Sequence, residues 1–85
     1  MKRILFEEDA LKQFHQWEHE DKKIFGKILK LLDNTRQNPF KGLGKPELLK
    51  HQFKGHWSRR INHEHRLIYK VTDDAIIVIA CKFHY

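Results

Sequence analysis

Cysteine occurs once in the 85 residues, at Cys81. No internal disulfide or cysteine zinc cluster can therefore form, and a reducing compartment is the natural setting. Proline occurs twice and glycine four times, and both prolines and two of the glycines crowd into the stretch from Pro39 to Pro46. No other segment reads as a break, no internal repeat or low-complexity tract is present, and a single domain spanning 1–85 is expected. The apolar run Ile4-Leu5-Phe6 near the N-terminus is too short for a signal peptide or a membrane span, so a soluble, cytoplasmic protein with no membrane contact is expected. Acidic residues are the scarcer charge: 11 Asp and Glu against 17 Lys and Arg give a net charge of +6 with the histidines neutral. That balance points to a polyanion or an acidic protein as partner. A chain of this size buries roughly 60% of its unfolded surface, which makes for marginal stability.

What is present is ordered as strand, two helices, loop and three strands. Arg3 to Phe6 is a short apolar segment, and Glu7, Glu8 and Asp9 after it suit the positive end of a helix. Ala10, Leu11, Phe14 and Trp17 recur at helical spacing, and Glu20-Asp21 reads as a cap or turn. Ile24, Phe25, Ile28, Leu29, Leu31 and Leu32 repeat the pattern in a second helix whose other surface carries Lys22, Lys23, Lys27 and Lys30. Pro39 disfavours helix at Asn38 and ends it there. Beyond the loop, Trp57 to Ile61, His65 to Val71 and Ala75 to Phe83 read as consecutive antiparallel strands. The fold class is α+β, two N-terminal helices packed on a small antiparallel sheet.

Register follows from asking which pairing brings apolar residues together, since a slip of one residue turns every side chain over. A three-residue connection, Asn62-His63-Glu64, sets Ile61 opposite His65 and puts Trp57 and Ile61 on the core side. A second, Thr72-Asp73-Asp74, sets Val71 opposite Ala75, which puts Leu67, Tyr69 and Val71 on one core face with Ile77, Ile79, Cys81 and Phe83. The other face then carries Arg60, Arg66, Lys70, Lys82 and His84. Two guanidiniums opposite each other repel unless an anion lies between them or the strand ends splay, so the pair is either a phosphate site or a solvated face. Glu47, in Lys45-Pro46-Glu47-Leu48-Leu49-Lys50, stands beside that basic face as a candidate general base, and His84 can act as an acid or base near neutral pH. Cleavage of RNA through its own 2′-hydroxyl needs a base, cations for the phosphorane and an acid for the leaving 5′-oxygen; Glu47, Arg66 with Arg60, and His84 supply that set. The sequence offers no carboxylate cluster suited to magnesium, and no metal or cofactor is implied.

At Lys45-Pro46-Glu47-Leu48-Leu49-Lys50, Trp57-Ser58-Arg59-Arg60-Ile61, Glu64-His65-Arg66-Leu67-Ile68-Tyr69 and the ending Ala80-Cys81 to His84-Tyr85, the chain closely resembles the YoeB/Txe toxins of the RelE/ParE superfamily. The match spans nearly the full length, and several motifs in order are far more specific than any one. The resemblance implies a bacterial toxin of a type II toxin-antitoxin system, an endoribonuclease that cuts messenger RNA in the ribosomal A site without metal and so inhibits translation. It implies Glu47 as general base, Arg66 as the phosphate-stabilising arginine, His84 as general acid and Tyr85 as the terminal residue shaping the site. Lys50 and Arg60 match accessory basic positions, and Lys82 keeps a basic residue just before the catalytic end. It also implies a YefM-type antitoxin as partner, ribosomal RNA as a docking surface and the capacity to form a homodimer.

The remaining features have simpler readings. His15 and His19 stand four apart on a helix without a third ligand nearby and read as surface residues. His65 reads as packing or supporting Arg66, and is the reserve acid should His84 prove inert. Trp17, Trp57 and Cys81 suit core or core-edge positions. Two rival functions use the same fold or charge: a ParE-like gyrase poison, which has no evident use for Glu47 and His84, and a noncatalytic basic module that only binds nucleic acid or a partner.

Overall fold

The computed structural model describes residues 1–83. Strand β1 (Arg3–Phe6) leads into helix α1 (Glu8–Glu20) and helix α2 (Lys22–Gln37), followed by a two-residue strand β2 (Glu47–Leu48), a single 3₁₀ turn at His51–Phe53, and strands β3 (Trp57–Arg60), β4 (Arg66–Val71) and β5 (Ala75–Ala80). The helix boundary falls at Asp21, whose carboxylate accepts from Lys23 and Ile24 N–H and so caps the orphan donors of α2. Asn38, before Pro39, closes α2 as expected. The sheet order is β1-β5-β4-β3-β2, with β1 parallel to β5 and all other neighbours antiparallel. Two helices on a sheet were expected; the parallel β1 makes that sheet mixed.

One face of the sheet carries the core. Ala10 and Trp17 of α1 and Ile28, Leu31 and Leu32 of α2 pack on Leu67, Tyr69, Ile76, Val78 and Cys81, with Ile4, Phe6, Phe14, Ile24 and Phe25 closing the margins. Leu11 and Leu29, expected on the apolar faces, remain exposed. Each lies next in sequence to a buried residue, about 100° round the helix, and a helix that packs on one side leaves the flank of its stripe in water.

The β3–β4 register is the expected one: Arg60 pairs with Arg66, and Ile61 N–H donates to the His65 carbonyl across the three-residue turn, where Asn62 Oδ1 accepts from Glu64 and His65 N–H. The β4–β5 register is not. Thr72 N–H donates to the Ala75 carbonyl and Ala75 N–H to Thr72 Oγ1, which closes the hairpin on Asp73-Asp74 alone and sets Val71 opposite Ile76. Ile76 and Val78 therefore enter the core, while Ile77 and Ile79 are half-buried. A bulge then shifts the pairing from Tyr69–Val78 to Ile68–Ala80, and this extra residue returns Cys81 to the core face. β5 also ends at Ala80 rather than Phe83, and Phe83 is 57% exposed instead of packed inside.

The inward position between Trp57 and Ile61 belongs to Arg59, which is fully buried. All five of its N–H groups are used: Nε donates to Tyr69 Oη, Nη1 to Asn34 Oδ1 and the Leu43 carbonyl, and Nη2 to the carbonyls of Asn38 and Lys41. Tyr69 Oη donates onward to the Pro39 carbonyl. Among the described residues no carboxylate pairs with this cation; oxygen dipoles from the end of α2 and the following loop take that place. The loop approaches so closely that Gly42 and Gly44, both at positive φ, have no room for a side chain: a Cβ would strike Asn34 at Gly42 and the Arg60 carbonyl, at 2.9 Å, at Gly44.

Two outcomes are expected. Tyr69→Phe orphans Arg59 Nε and the Pro39 carbonyl and should cost about 1–3 kcal/mol in urea unfolding, while Arg59→Met should cost at least about 3 kcal/mol. Unchanged midpoints would refute the network's structural role. Burial pushes the Cys81 thiol from 9.0 up to about 12 and also raises the Tyr69 phenol. Both groups favour the folded state fully while protonated, and the unfolded chain loses its protons first as pH rises. For Cys81 stability should therefore decline between pH 9.0 and about 12, a decline reduced in Cys81→Ala. Equal alkaline decline in both proteins would exclude the thiol as a source.

Candidate functional site

The register of three strands assembles the site. Glu47 pairs with Ser58, Ser58 with Ile68 and Ile68 with Ala80, and directly paired residues point to the same face. Two residues along, Arg60 pairs with Arg66. Glu47, Arg60 and Arg66 thus share the face of the sheet opposite the helices. Ser58, Ile68 and Ala80, all buried, make its floor. Glu47 stands diagonal to Arg60, about 7–8 Å backbone to backbone.

The cations are held differently. Arg66 Nη1 donates to the carbonyls of Asn62, His63 and His65, so its guanidinium is drawn onto the β3–β4 turn, half-buried. This removes it from head-on contact with Arg60 and answers the like-charge problem without an anion. Arg60 is exposed, and among the described residues its guanidinium has no partner. Glu47 and Lys50 are exposed as well, Lys50 at the start of the 3₁₀ turn where the Leu49 N–H to His56 carbonyl bond closes the loop. The Glu47 side chain has no hydrogen bond or ion pair with the described residues, leaving its carboxylate available as an acceptor.

Lys82 is not on this face. Beyond the bulge its side chain turns to α1, where Nζ donates to Gln16 Oε1 and Glu20 Oε2 and lies 5.0 Å over the Trp17 ring. Contact with a polyanion on the Arg60 side would require it to leave those partners. His65 is buried, its Nδ1 accepting from Phe83 N–H at 2.7 Å, which makes it a poor proton donor to anything outside. Arg66 N–H in turn donates to the Phe83 carbonyl at 2.9 Å. His84 and Tyr85 lie outside the described residues; the chain leads to them from Phe83, beside Arg66.

Backbone strain gathers around the same place. The non-glycine residues at positive φ among those described are Lys45, His51 and Phe83. The first two bracket the Glu47 strand and the third precedes His84. A non-glycine residue there costs about 1–3 kcal/mol and persists where its surroundings fix it, a pattern common at functional sites. Sequence reading placed Glu47, Arg60 and Arg66 together but left Arg59 unassigned; its inward parity between Trp57 and Ile61 was the available signal. It also did not find the carbonyl cluster that holds Arg66.

The chemical repertoire is that of an acceptor carboxylate and two guanidiniums on one open face. The description "YoeB-like toxin of bacterial type II toxin-antitoxin system" belongs to the family model that matches residues 6–85. Toxin YoeB of Escherichia coli strain K12 is 47% identical over 83 residues, covering 98% of this chain and 99% of that one. Among solved structures, the YoeB dimer from Staphylococcus aureus superposes with a TM-score of 0.92 at 44% identity, covering 99% of this chain and 98% of that one. The heterotetrameric YoeB-YefM complex from the same organism superposes at 0.91 and 43%, covering 100% and 99%. With its full length matched in sequence and fold, this chain belongs to the YoeB-like toxins of bacterial type II toxin-antitoxin systems.

Proposed function

We propose that this toxin is an endoribonuclease that cuts messenger RNA in the ribosomal A site by acid-base transesterification and so stops translation. The observation that carries the reading is the register placing Glu47 on one face with Arg60 and Arg66. Glu47 takes the proton from a ribose 2′-hydroxyl, which then attacks the adjacent phosphorus. Arg66, with Arg60 beside it, neutralises the charge gathering on the phosphorane oxygens. His84 gives its proton to the departing 5′-oxygen, and the products are a 2′,3′-cyclic phosphate and a free 5′-hydroxyl. Tyr85 completes the site. Among the described residues Arg66 is anchored through Nη1, which keeps Nε and Nη2 for phosphate oxygens, the planar fork that such recognition uses. Lys50 and Arg60 are the proposed contacts to the RNA backbone. The exposed lysines of α2, Lys22, Lys23 and Lys30, suit ribosomal RNA phosphates, an attraction that weakens as salt rises.

A YefM-type antitoxin is the proposed partner, by likeness to the staphylococcal complex, and its acidic chain would complement the net charge of +6. A homodimer is proposed on the same footing. The site of action is the cytoplasm, where ribosomes are. No helix among the described residues is long and apolar enough to cross a membrane.

Primer extension on messages bound to programmed ribosomes tests the reading. Wild type should give discrete cuts at the A-site codon, absent with naked RNA. His84→Ala and Glu47→Gln should each lose about 10²–10⁴-fold in cleavage rate while still binding ribosomes. Removing His84 should also flatten the alkaline limb of the rate profile, because a general acid is effective only while protonated. Absence of cuts by folded wild type sinks the proposal, and full activity in both variants replaces it with a binding module.

A further inference from the structure

The three residues after β5 form no strand, yet four of their six backbone N–H and C=O groups are gripped. Cys81 N–H donates to Gln13 Oε1 at 2.7 Å, and Trp17 Nε1 donates to the Cys81 carbonyl at 2.8 Å. Phe83 N–H donates to His65 Nδ1, and Arg66 N–H donates to the Phe83 carbonyl. Phe83 sits at φ 64, a conformation that needs such outside support. Among the described residues, His65 is the one whose side chain hydrogen-bonds the Phe83 backbone.

The imidazole is built for that bond. A backbone N–H can only donate, so Nδ1 must be the unprotonated nitrogen, and the ring proton belongs on Nε2, 3.5 Å from Glu64 Oε1. The Trp17 ring meets it edge-on with centroids 4.7 Å apart, and the Phe83 ring lies at 5.5 Å. Lys82 Nζ sits over both of those aromatic rings. Crowded on these sides and 6% exposed, His65 cannot turn its Nδ1 elsewhere.

We propose that His65 is a positioning residue for catalysis: its Nδ1 lone pair fixes the Phe83 peptide, the covalent anchor from which the chain continues to His84. It works through the backbone and touches no substrate. Arg66 is tied to the same point, since its N–H holds the Phe83 carbonyl, so phosphate-binding and proton-donating elements are referenced to one peptide. The catalytic part rests on the nuclease reading above.

The test uses the full chain with His65→Leu, His65→Asn and His65→Gln. Asparagine places an amide oxygen on Cγ, where Nδ1 was attached; glutamine carries its oxygen one bond further out. Amide exchange at Phe83 and cleavage kinetics on programmed ribosomes are both measured. In His65→Leu, Phe83 exchange should rise while the Val78 amide in β5 stays protected, and kcat should fall about 10- to 100-fold with little change in KM. His65→Asn should restore most of both, and His65→Gln should not. Wild-type kcat and Phe83 protection in folded His65→Leu would overturn the proposal, as would equal rescue by glutamine and asparagine. Should His65→Leu fail to fold, the asparagine and glutamine pair decides by the same criterion. Failure of wild type to cut would overturn the nuclease reading instead; the clamp then stands if Phe83 protection follows the Asn-over-Gln order and falls if it does not.

Discussion

A buried guanidinium met by five neutral oxygens is the constraint on which the rest of this toxin depends. Arg59 projects from β3 into the core and meets five oxygens drawn from α2, the loop after it and β4. Leaving those donors or acceptors unmet in the interior would cost more than most single contacts contribute, so the loop must close on Arg59 in one way. Gly42 and Gly44 allow that closure by keeping side chains out of it. From Gly44 the chain passes straight into β2, and Gly44 accepts from Arg60 N–H. The position of Glu47 is therefore set from beneath, by a cation that never reaches the surface, on a strand too short to hold itself.

The opposite border of the site is fixed by a second device of another kind. Where the loop before β2 is organised round one charge, the backbone of the segment after β5 is gripped by a row of neutral groups, Gln13 and Trp17 from α1 and His65 from the turn before β4. Neither element has the regular hydrogen bonding of a strand or helix over its length. Both owe their shape to side chains reaching from elements far away in sequence, which lets a small sheet present exact neighbours on an open face without a deep cleft.

This division explains what could be read in the sequence. The helices, the cap at Asp21, the stop before Pro39 and the β3–β4 turn depend on neighbours in the chain, and the pattern displays them. Arg60 and Arg66 came together because one hairpin register decides it; Glu47 was placed beside them as a loop carboxylate, and its two-residue strand β2, too short to show a pattern, was not read. The β4–β5 register slipped by one because every residue from Ala75 to Ala80 is apolar, so no alternation marks the inner face, and because Thr72 closes a tighter turn than the three polar residues suggested. The bulge after Val78, which rescues Cys81 for the core, leaves no sign in a run of aliphatic residues. Parity could have shown that Arg59 points inward, but not what meets it, nor that Lys82 turns to α1: the partners of Arg59 are three loop carbonyls with Asn34 and Tyr69, those of Lys82 are α1 side chains, and all are distant in sequence. At the end of the chain, His84 was singled out by its imidazole, and Tyr85 by motif resemblance alone.

The parallel pairing of β1 with β5 has a consequence for how the molecule is made. β1 leaves the ribosome first and has no partner until β5 follows, a separation such as the 71 residues between Arg3 and Asp74 at the strand ends. Both helices can form and associate in the meantime, but the sheet centre cannot close, and loop closure over that span is slow. During synthesis β1 waits as an open edge, and Glu47, Arg60 and Arg66 gain their common face only when β4 has emerged to pair with β3. The face that joins an acceptor carboxylate to two guanidiniums is in this way completed late in the order of the chain's own translation.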